Sequence, residues 1–183
     1  MAEPNEFTYR KAELRRELKL RRAAVADKLA LSERICELAL PLIRGNVLVY
    51  VSIGAEVCTV PLIERLSERG ARVYVPYTKD GVITPRRLAE LAQPDFYGNL
   101  PLGAYGDACD GDDIDINVTP LLGFNKNGQR IGYGKGCYDR FFAAHRNIYK
   151  MGLAFDCQQC EFEPYPSDVP LDCCVTESKV IYF

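Results

Sequence analysis

The run Arg130-Ile131-Gly132-Tyr133-Gly134-Lys135-Gly136-Cys137-Tyr138-Asp139 sets a glycine at every second position around one lysine. Glycine lacks Cβ and reaches dihedrals closed to other residues. Successive N–H groups of Gly132, Gly134 and Gly136 can therefore adopt left-handed geometry and converge on one anion, with Lys135 adding a cation among them. The residues that follow, Tyr138 to His145, contain no Gly or Pro and read as a helix whose positive N-terminal end faces the same anion. Asp139 lies in its first turn, close enough to hold a divalent metal against a phosphate. The loop is not a Walker A motif, because Gly136 and Cys137 follow Lys135 where Ser or Thr is required, and its G-x-G-x-G spacing is not the dinucleotide fingerprint. From spacing alone, a phosphate or nucleotide site and a flexible surface hairpin are equal alternatives.

A second basic concentration lies near the N-terminus. Arg10, Lys11, Arg15, Arg16, Lys19, Arg21 and Arg22 stand against only Glu13 and Glu17 there, which suits either a solvated helix face or one that meets an anion. The chain as a whole carries a formal net charge of -2, which argues against a general nucleic-acid binder. No apolar run approaches the roughly 20 residues of a membrane span, and no apolar signal-peptide core is seen, so a cytoplasmic protein is expected. Cys157-x-x-Cys160 is half of a zinc-ribbon spacing without its other half. Cys173 and Cys174 are adjacent in a strand and point to opposite faces, and His145 is the one histidine. The eight cysteines read as buried or incidental thiols.

The elements that must position these residues are legible from periodicity. Glu6 to Lys28 reads as a helix with Leu14, Leu18 and Val25 on one side, and Ser32 reads as the cap of a second helix reaching about Ile43. Val47 to Val51 is an apolar strand, Thr59 to Arg69 a helix ending at Gly70, and Arg72 to Pro76 a strand, which together make a right-handed βαβ unit. Asn117 to Leu122 and Tyr149 to Phe155 are strands flanking the glycine loop and its helix, and Val175 to Tyr182 adds an edge. The expected fold is a three-layer α/β structure, a mostly parallel Rossmann-like sheet with helices on both faces, formed by residues 1–183 as one domain. Ligands of such a sheet sit at the carboxyl ends of its strands. Gln93 to Asp115, rich in Gly, Pro and Asp, reads as a long surface loop, either a lid or a passive connector.

The stretch from Thr119-Pro120-Leu121-Leu122-Gly123-Phe124 through Asn127-Gly128-Gln129-Arg130 to Tyr138-Asp139 resembles the signature of the 5-formyltetrahydrofolate cyclo-ligase (5,10-methenyltetrahydrofolate synthetase) family. Lys11-Ala12-Glu13-Leu14-Arg15, Val49-Tyr50-Val51-Ser52 with Glu56, Gly152-Leu153-Ala154-Phe155, Ser167-Asp168-Val169-Pro170-Leu171-Asp172 and Val175-Thr176-Glu177 extend the resemblance in order along the chain. Lys79 to Asp113 matches weakly. The resemblance implies ATP-dependent closure of 5-formyltetrahydrofolate, with ATP as co-substrate and Mg2+ as metal. It implies ATP binding by Lys11, Arg15, Arg130, Gly132, Gly134, Lys135, Gly136 and Tyr138, with Lys135 and Arg130 catalytic. Val51, Glu56, Tyr133 and Cys137 are implied to meet the folate, and Asp139 and Asp168 the magnesium. Tyr138 either stacks on a ring or packs against the sheet. Asp172 competes with Asp168 for the metal, and His145 is a helix-surface residue, not a general base.

Cys137 stands where the family commonly has an aromatic, and Ser167 where a bulkier residue is frequent; both bear on substrate fit more than on nucleotide binding. Three functions follow: the cyclo-ligase, a paralogue activating another N-formyl or amide substrate with ATP, and a non-catalytic folate or nucleotide binding module. Lys135 and Asp139 together argue against the third, because binding alone needs no metal-placed phosphate. The expected partners are small molecules, with no nucleic acid and no membrane, and a monomer is expected.

Overall fold

Val47-Leu48-Val49 is apolar on both sides of its pleat, so it belongs where a strand is covered above and below. The computed structural model describes residues 6–95 and 98–183. The helices described are α1 (Glu6–Ala23), α2 (Lys28–Ala39), α3 (Val60–Glu68) and α4 (Cys137–Ala144). The strands described are β1 (Val47–Val49), β2 (Val73–Lys79), β3 (Val82–Leu88), β4 (Tyr105–Ala108), β5 (Ile116–Thr119), β6 (Gly123–Phe124), β7 (Arg130–Ile131), β8 (Tyr149–Leu153), β9 (Cys173–Val175) and β10 (Val180–Tyr182). Among the described residues, eight of these form one sheet in the order β10-β9-β8-β5-β1-β2-β3-β4, while β6 and β7 form a separate hairpin.

The five central strands, β9-β8-β5-β1-β2, are parallel, with Val47 opposite both Val73 and Ile116. Strands β3, β4 and β10 extend the sheet antiparallel at its two sides. Side-chain alternation divides the core. Val47 and Val49 join Ile35, Cys36 and Ala39 of α2 and Leu62, Ile63 and Leu66 of α3, whereas Leu48 joins Phe141 and Phe142 of α4 on the opposite face. Cys173 and Cys174 divide likewise between the two faces, as their adjacency requires. This is the three-layer α/β arrangement expected. Helix α1 stands apart from the sheet: Leu18 is fully buried against Leu122 and Ile131, so α1 packs on the β6–β7 hairpin.

Several boundaries differ from expectation, each for a local reason. Helix α1 stops at Ala23, not Lys28, because Lys28 Nζ folds back to donate to the carbonyls of Ala23 and Val25 while Asp27 turns left-handed at φ 49°. Asp27, not Ser32, precedes α2. Ser32 is buried inside the helix and its hydroxyl accepts the Cys58 N–H at 3.0 Å, which ties α2 to the turn before α3.

Strand β2 runs past Pro76 to Lys79 and turns at Asp80-Gly81, both at positive φ, into β3; this is the two-residue hairpin geometry that an Asp-Gly pair favours. The Gln93 to Asp115 stretch is not loop throughout, since β4 pairs with β3, and Asn99 Oδ1 accepts the Thr78 N–H at 2.9 Å. Positions 96 and 97 within that stretch lie outside the described residues.

Because Leu18 is the fully buried residue by which α1 docks, Leu18→Ala should cost about 2–5 kcal/mol at that contact. Residue-resolved hydrogen exchange should then show protection lost first in α1. Unchanged protection in α1 would show that something other than Leu18 anchors the helix.

Candidate functional site

From β1 the chain crosses through α3 to β2, and from the neighbouring β5 it crosses through α4 to β8 on the other side. The two connections part at the carboxyl ends of β1 and β5, and a crevice opens where they part. A cleft of about 1190 Å³ occupies it. That exceeds the roughly 300–1,000 Å³ typical of a pocket for one small molecule. Its walls include Lys11 and Arg15 of α1, Val51 and Glu56 beyond β1, Arg130 of β7, Gly132, Tyr133, Gly134, Lys135 and Gly136 of the glycine loop, Cys137, Tyr138 and Asp139 of α4, and Asp168. Every residue implied to meet ATP, folate or magnesium, apart from the competing Asp172, is therefore brought to one cavity.

The glycine loop is held at both ends. Asn125 Oδ1 accepts the N–H groups of Asn127 and Gln129, closing the hairpin turn that delivers β7. After β7, Gly134 at φ 93° and Gly136 at φ 63° reverse the backbone into α4. Gly132 departs from expectation: its φ is not positive, and a Cβ there would meet open space, so its backbone does not require glycine. Arg15 Nε donates to the Gly132 carbonyl at 3.0 Å, fastening the loop to α1.

Two ion pairs bind the walls together. Lys11 Nζ lies 2.9 Å from Asp168 Oδ2 and 3.7 Å from the centre of the Tyr165 ring. Arg130 is buried: Nη2 meets Asp139 Oδ1 at 2.9 Å and Nη1 donates to the Val169 carbonyl at 2.6 Å. Burial pulls its pKa down, and Asp139 opposes the fall. Arg130 thus braces the loop, α4 and the 165–169 segment, a role its sequence context did not suggest.

Within the described residues, hydrogen bonds use Oδ1 of Asp139 and Oδ2 of Asp168 and leave the second oxygen of each carboxylate. Two carboxylates with spare oxygens beside a lysine-bearing glycine loop fit magnesium, which takes one or two protein carboxylates and completes its shell with phosphate and water. Asp172 does not compete with them, since it is held by Lys150 Nζ at 2.7 Å and is not part of the cleft wall.

Glu56, on the cleft wall beyond β1, is buried. Its Oε2 accepts the Ile53 N–H at 2.9 Å and its Oε1 accepts the Tyr133 hydroxyl at 2.5 Å. Burial raises the Glu56 pKa; the bonds from Tyr133 and Ile53 and the charge of Arg22 work against the rise. The Tyr133 hydroxyl is pushed up to about 12 by burial and by Glu56. Tyr138 packs against Phe142 with ring centres 5.9 Å apart, and burial raises its hydroxyl, so it lies against the sheet with one edge toward the cleft. His145 caps the far end of α4, with Nδ1 2.8 Å from Asp112 Oδ1, outside the cleft wall.

Tyr165 also lines the cleft, as do Lys19 and Arg22, which the sequence offers only as members of the basic cluster of the first helix. Lys11, Arg15, Lys19 and Arg22 follow one another at intervals of 4, 4 and 3, a single helical stripe that periodicity alone could have exposed. Nothing in its context marks Tyr165.

Comparison with known proteins gives a family and a fold. The profile of the 5-formyltetrahydrofolate cyclo-ligase family matches residues 8–177. The chain is 35% identical over 154 residues to the 5-formyltetrahydrofolate cyclo-ligase of Escherichia coli strain K12, a span covering 74% of this chain and 79% of that one. The structure of Aquifex aeolicus 5,10-methenyltetrahydrofolate synthetase superposes with a TM-score of 0.80 at 27% identity, covering 94% of this chain and 92% of the other. That of a Mycoplasma pneumoniae 5,10-methenyltetrahydrofolate synthetase gives 0.73 at 26% identity, covering 91% and 98%.

The raised pKa of Glu56 fixes the sign of a stability test. The folded state favours the neutral carboxyl, so the stability this group contributes is full below its unfolded pKa and is lost as pH rises through the folded value. Glu56→Gln, which stays neutral, should therefore gain in melting temperature relative to the wild type as pH rises from acid to neutral, whatever the two variants' difference in acid. A pH-independent difference between the two melting curves would refute the burial argument.

Proposed function

The chain belongs to the 5-formyltetrahydrofolate cyclo-ligase family of enzymes, and from that membership we propose that it closes 5-formyltetrahydrofolate to 5,10-methenyltetrahydrofolate while ATP becomes ADP and phosphate. One observation carries the reading beyond the family: a single cleft large enough for two ligands brings together a cationic glycine loop and a buried carboxylate, Glu56, which meet at Tyr133. The first suits a triphosphate and the second a pterin, whose ring NH and amino groups are donors.

In this reaction the formyl oxygen attacks the γ-phosphorus and ADP leaves. The neighbouring amine then attacks the activated formyl carbon and gives up its proton, and phosphate departs with the former formyl oxygen and that proton as hydrogen phosphate. Such a transfer asks the protein for alignment and charge neutralisation more than for covalent chemistry. Lys135 and the amides of Gly134 and Gly136 meet the phosphoryl oxygens as charge builds there, and Lys11 and Arg15 close over the triphosphate from α1. Arg130 acts from behind, holding the loop against α4. Asp139 and Asp168 are the residues that would hold magnesium, which neutralises phosphate charge when bound. Glu56, Tyr133, Val51 and Cys137 form the folate end.

No helix among the described residues is long and apolar enough to cross a membrane. The proposal extends to a cytoplasmic, single-domain monomer, for which sedimentation at assay concentrations is the check on oligomeric state.

Mixing the protein with 5-formyltetrahydrofolate, ATP and magnesium should generate the near-ultraviolet methenyl chromophore with one ADP per product, and chelation of magnesium should abolish both. ADP without chromophore would point to another N-formyl or amide substrate. Neither signal despite ATP binding would leave a binding module. Lys135→Ala should fold normally and lose on the order of 10²–10³ in turnover, the cost of one preorganised donor to developing charge. Wild-type turnover in that variant would remove Lys135 from the mechanism.

A further inference from the structure

Arg22 is a buried cation that the proposed reaction does not use. It is 5% exposed, lines the cleft and has no carboxylate partner in an ion pair among the described residues. Its Nη1 donates to the Leu121 carbonyl at 3.1 Å and its Nη2 to the Tyr133 hydroxyl oxygen at 2.8 Å, while its buried Nε has no hydrogen-bond partner. Burying a guanidinium with no paired carboxylate is costly, so the charge calls for a purpose beyond packing.

We propose that Arg22 is a positioning residue that fixes the direction of the Tyr133 hydroxyl proton onto Glu56, so that the folate end of the cleft presents a carboxylate and not a carboxylic acid. The proposal rests on the cyclo-ligase reading for its substrate, but its chemistry stands on three side chains.

A guanidinium only donates, so the Tyr133 oxygen accepts the Arg22 bond, which leaves its single proton to be donated to Glu56 Oε1 in the 2.5 Å contact. The Ile53 N–H occupies Oε2. Glu56 therefore faces two donors, and a proton of its own on Oε1 would meet a phenol oxygen already engaged by Arg22. The relay favours the ionised form where burial favours the neutral one. Lys19 Nζ and the Arg22 guanidinium carbon also lie 5.6 and 5.8 Å from the centre of the Tyr133 ring, which holds the ring in place from the α1 side.

The groups facing Glu56 come from four elements: Arg22 from α1, Tyr50 beyond β1, Tyr133 from the loop and Tyr138 from α4. The three tyrosines are neutral through the assay range, because burial and Glu56 raise them all. Arg22 is the cation of the set. An ionised Glu56 accepts from the ring NH and amino group of a pterin, whereas a protonated one would present a donor to donors.

The test combines Arg22→Met, Arg22→Lys, Tyr133→Phe and the double variant Arg22→Met/Tyr133→Phe. The carboxyl ¹³C resonance of Glu56, assigned with Glu56→Gln, is titrated in the unliganded protein, and KM for 5-formyltetrahydrofolate is followed against pH. Arg22→Met should move the Glu56 titration to higher pH and shift the acid limb of the KM profile with it. The KM should rise on the order of tenfold on that limb, the effect of one charge-assisted hydrogen bond, and converge on the wild type in alkali. Arg22→Lys, still only a donor, should restore most of the shift, and ATP affinity should not change.

Tyr133→Phe alone should reproduce the shift, which keeps the test open should Arg22→Met fail to fold. In the Tyr133→Phe background Arg22→Met should add only the through-space effect of its lost charge, a smaller shift than it causes with Tyr133 in place. A rise in KM uniform with pH, an unmoved Glu56 titration, or a shift of full size in the Tyr133→Phe background would overturn the relay. A relay intact in a protein that makes no methenyl product would instead overturn the cyclo-ligase reading.

Discussion

Two adjacent parallel strands, β1 and β5, send the chain over opposite faces of the sheet, and the remaining features of the site depend on that divergence. Right-handed crossovers leave no other route: a connection to β2 must pass on the α3 face and one to β8 on the α4 face. The gap between them cannot be filled by either connection, so whatever each carries at the strand end lines one crevice, where the two meet at the Tyr133–Glu56 bond. The first brings Glu56 and the second the glycine loop. Helix α1, belonging to neither, docks on the β6–β7 hairpin and supplies the third wall.

Charge organises this space more than apolar packing does. The cations Lys11 and Arg130 and the carboxylates Asp168 and Asp139 are each other's partners; the first pair joins α1 to a segment 157 residues away, and the second ties β7 to the start of α4. Partly buried ion pairs of this kind contribute little net stability, because desolvation cancels most of the attraction; what they supply is a fixed geometry. Under the proposed reading the two signs are used together, with cations meeting phosphate oxygens and carboxylates the metal that accompanies them. The same economy holds at the folate end, where Arg22 meets no carboxylate directly and reaches Glu56 through Tyr133.

What could be read from the sequence was what is local. The glycine alternation, the apolar run at Val47 and the helix after Thr59 carry their own signals over a few residues, and all three elements formed close to their expected places. Hairpin β2–β3 was missed although Asp80-Gly81 announces it. Pro76 and Pro85, which sit opposite each other in the ladder, mask the strand character on either side. Ser32 resembled a cap because capping and tertiary hydrogen bonding use the same hydroxyl; only the position of Cys58 decides between them. The roles of Arg130 and Arg22 were illegible for a stronger reason. Their partners Val169 and Tyr133 lie 39 and 111 residues away, and no periodicity connects such positions.

The eight thiols are unpaired, and the fold sorts them by reach. Cys36, Cys173 and Cys174 are sealed in the core, where burial raises the first to about 12 and the second to about 11, leaving almost no nucleophilic thiolate. Cys137 opens α4 on the cleft wall, and Cys157 is exposed outside the cleft. The molecule thus carries its own pair of chemical reporters without engineering: alkylation of Cys137 should slow when the cleft is filled, while alkylation of Cys157 keeps time beside it.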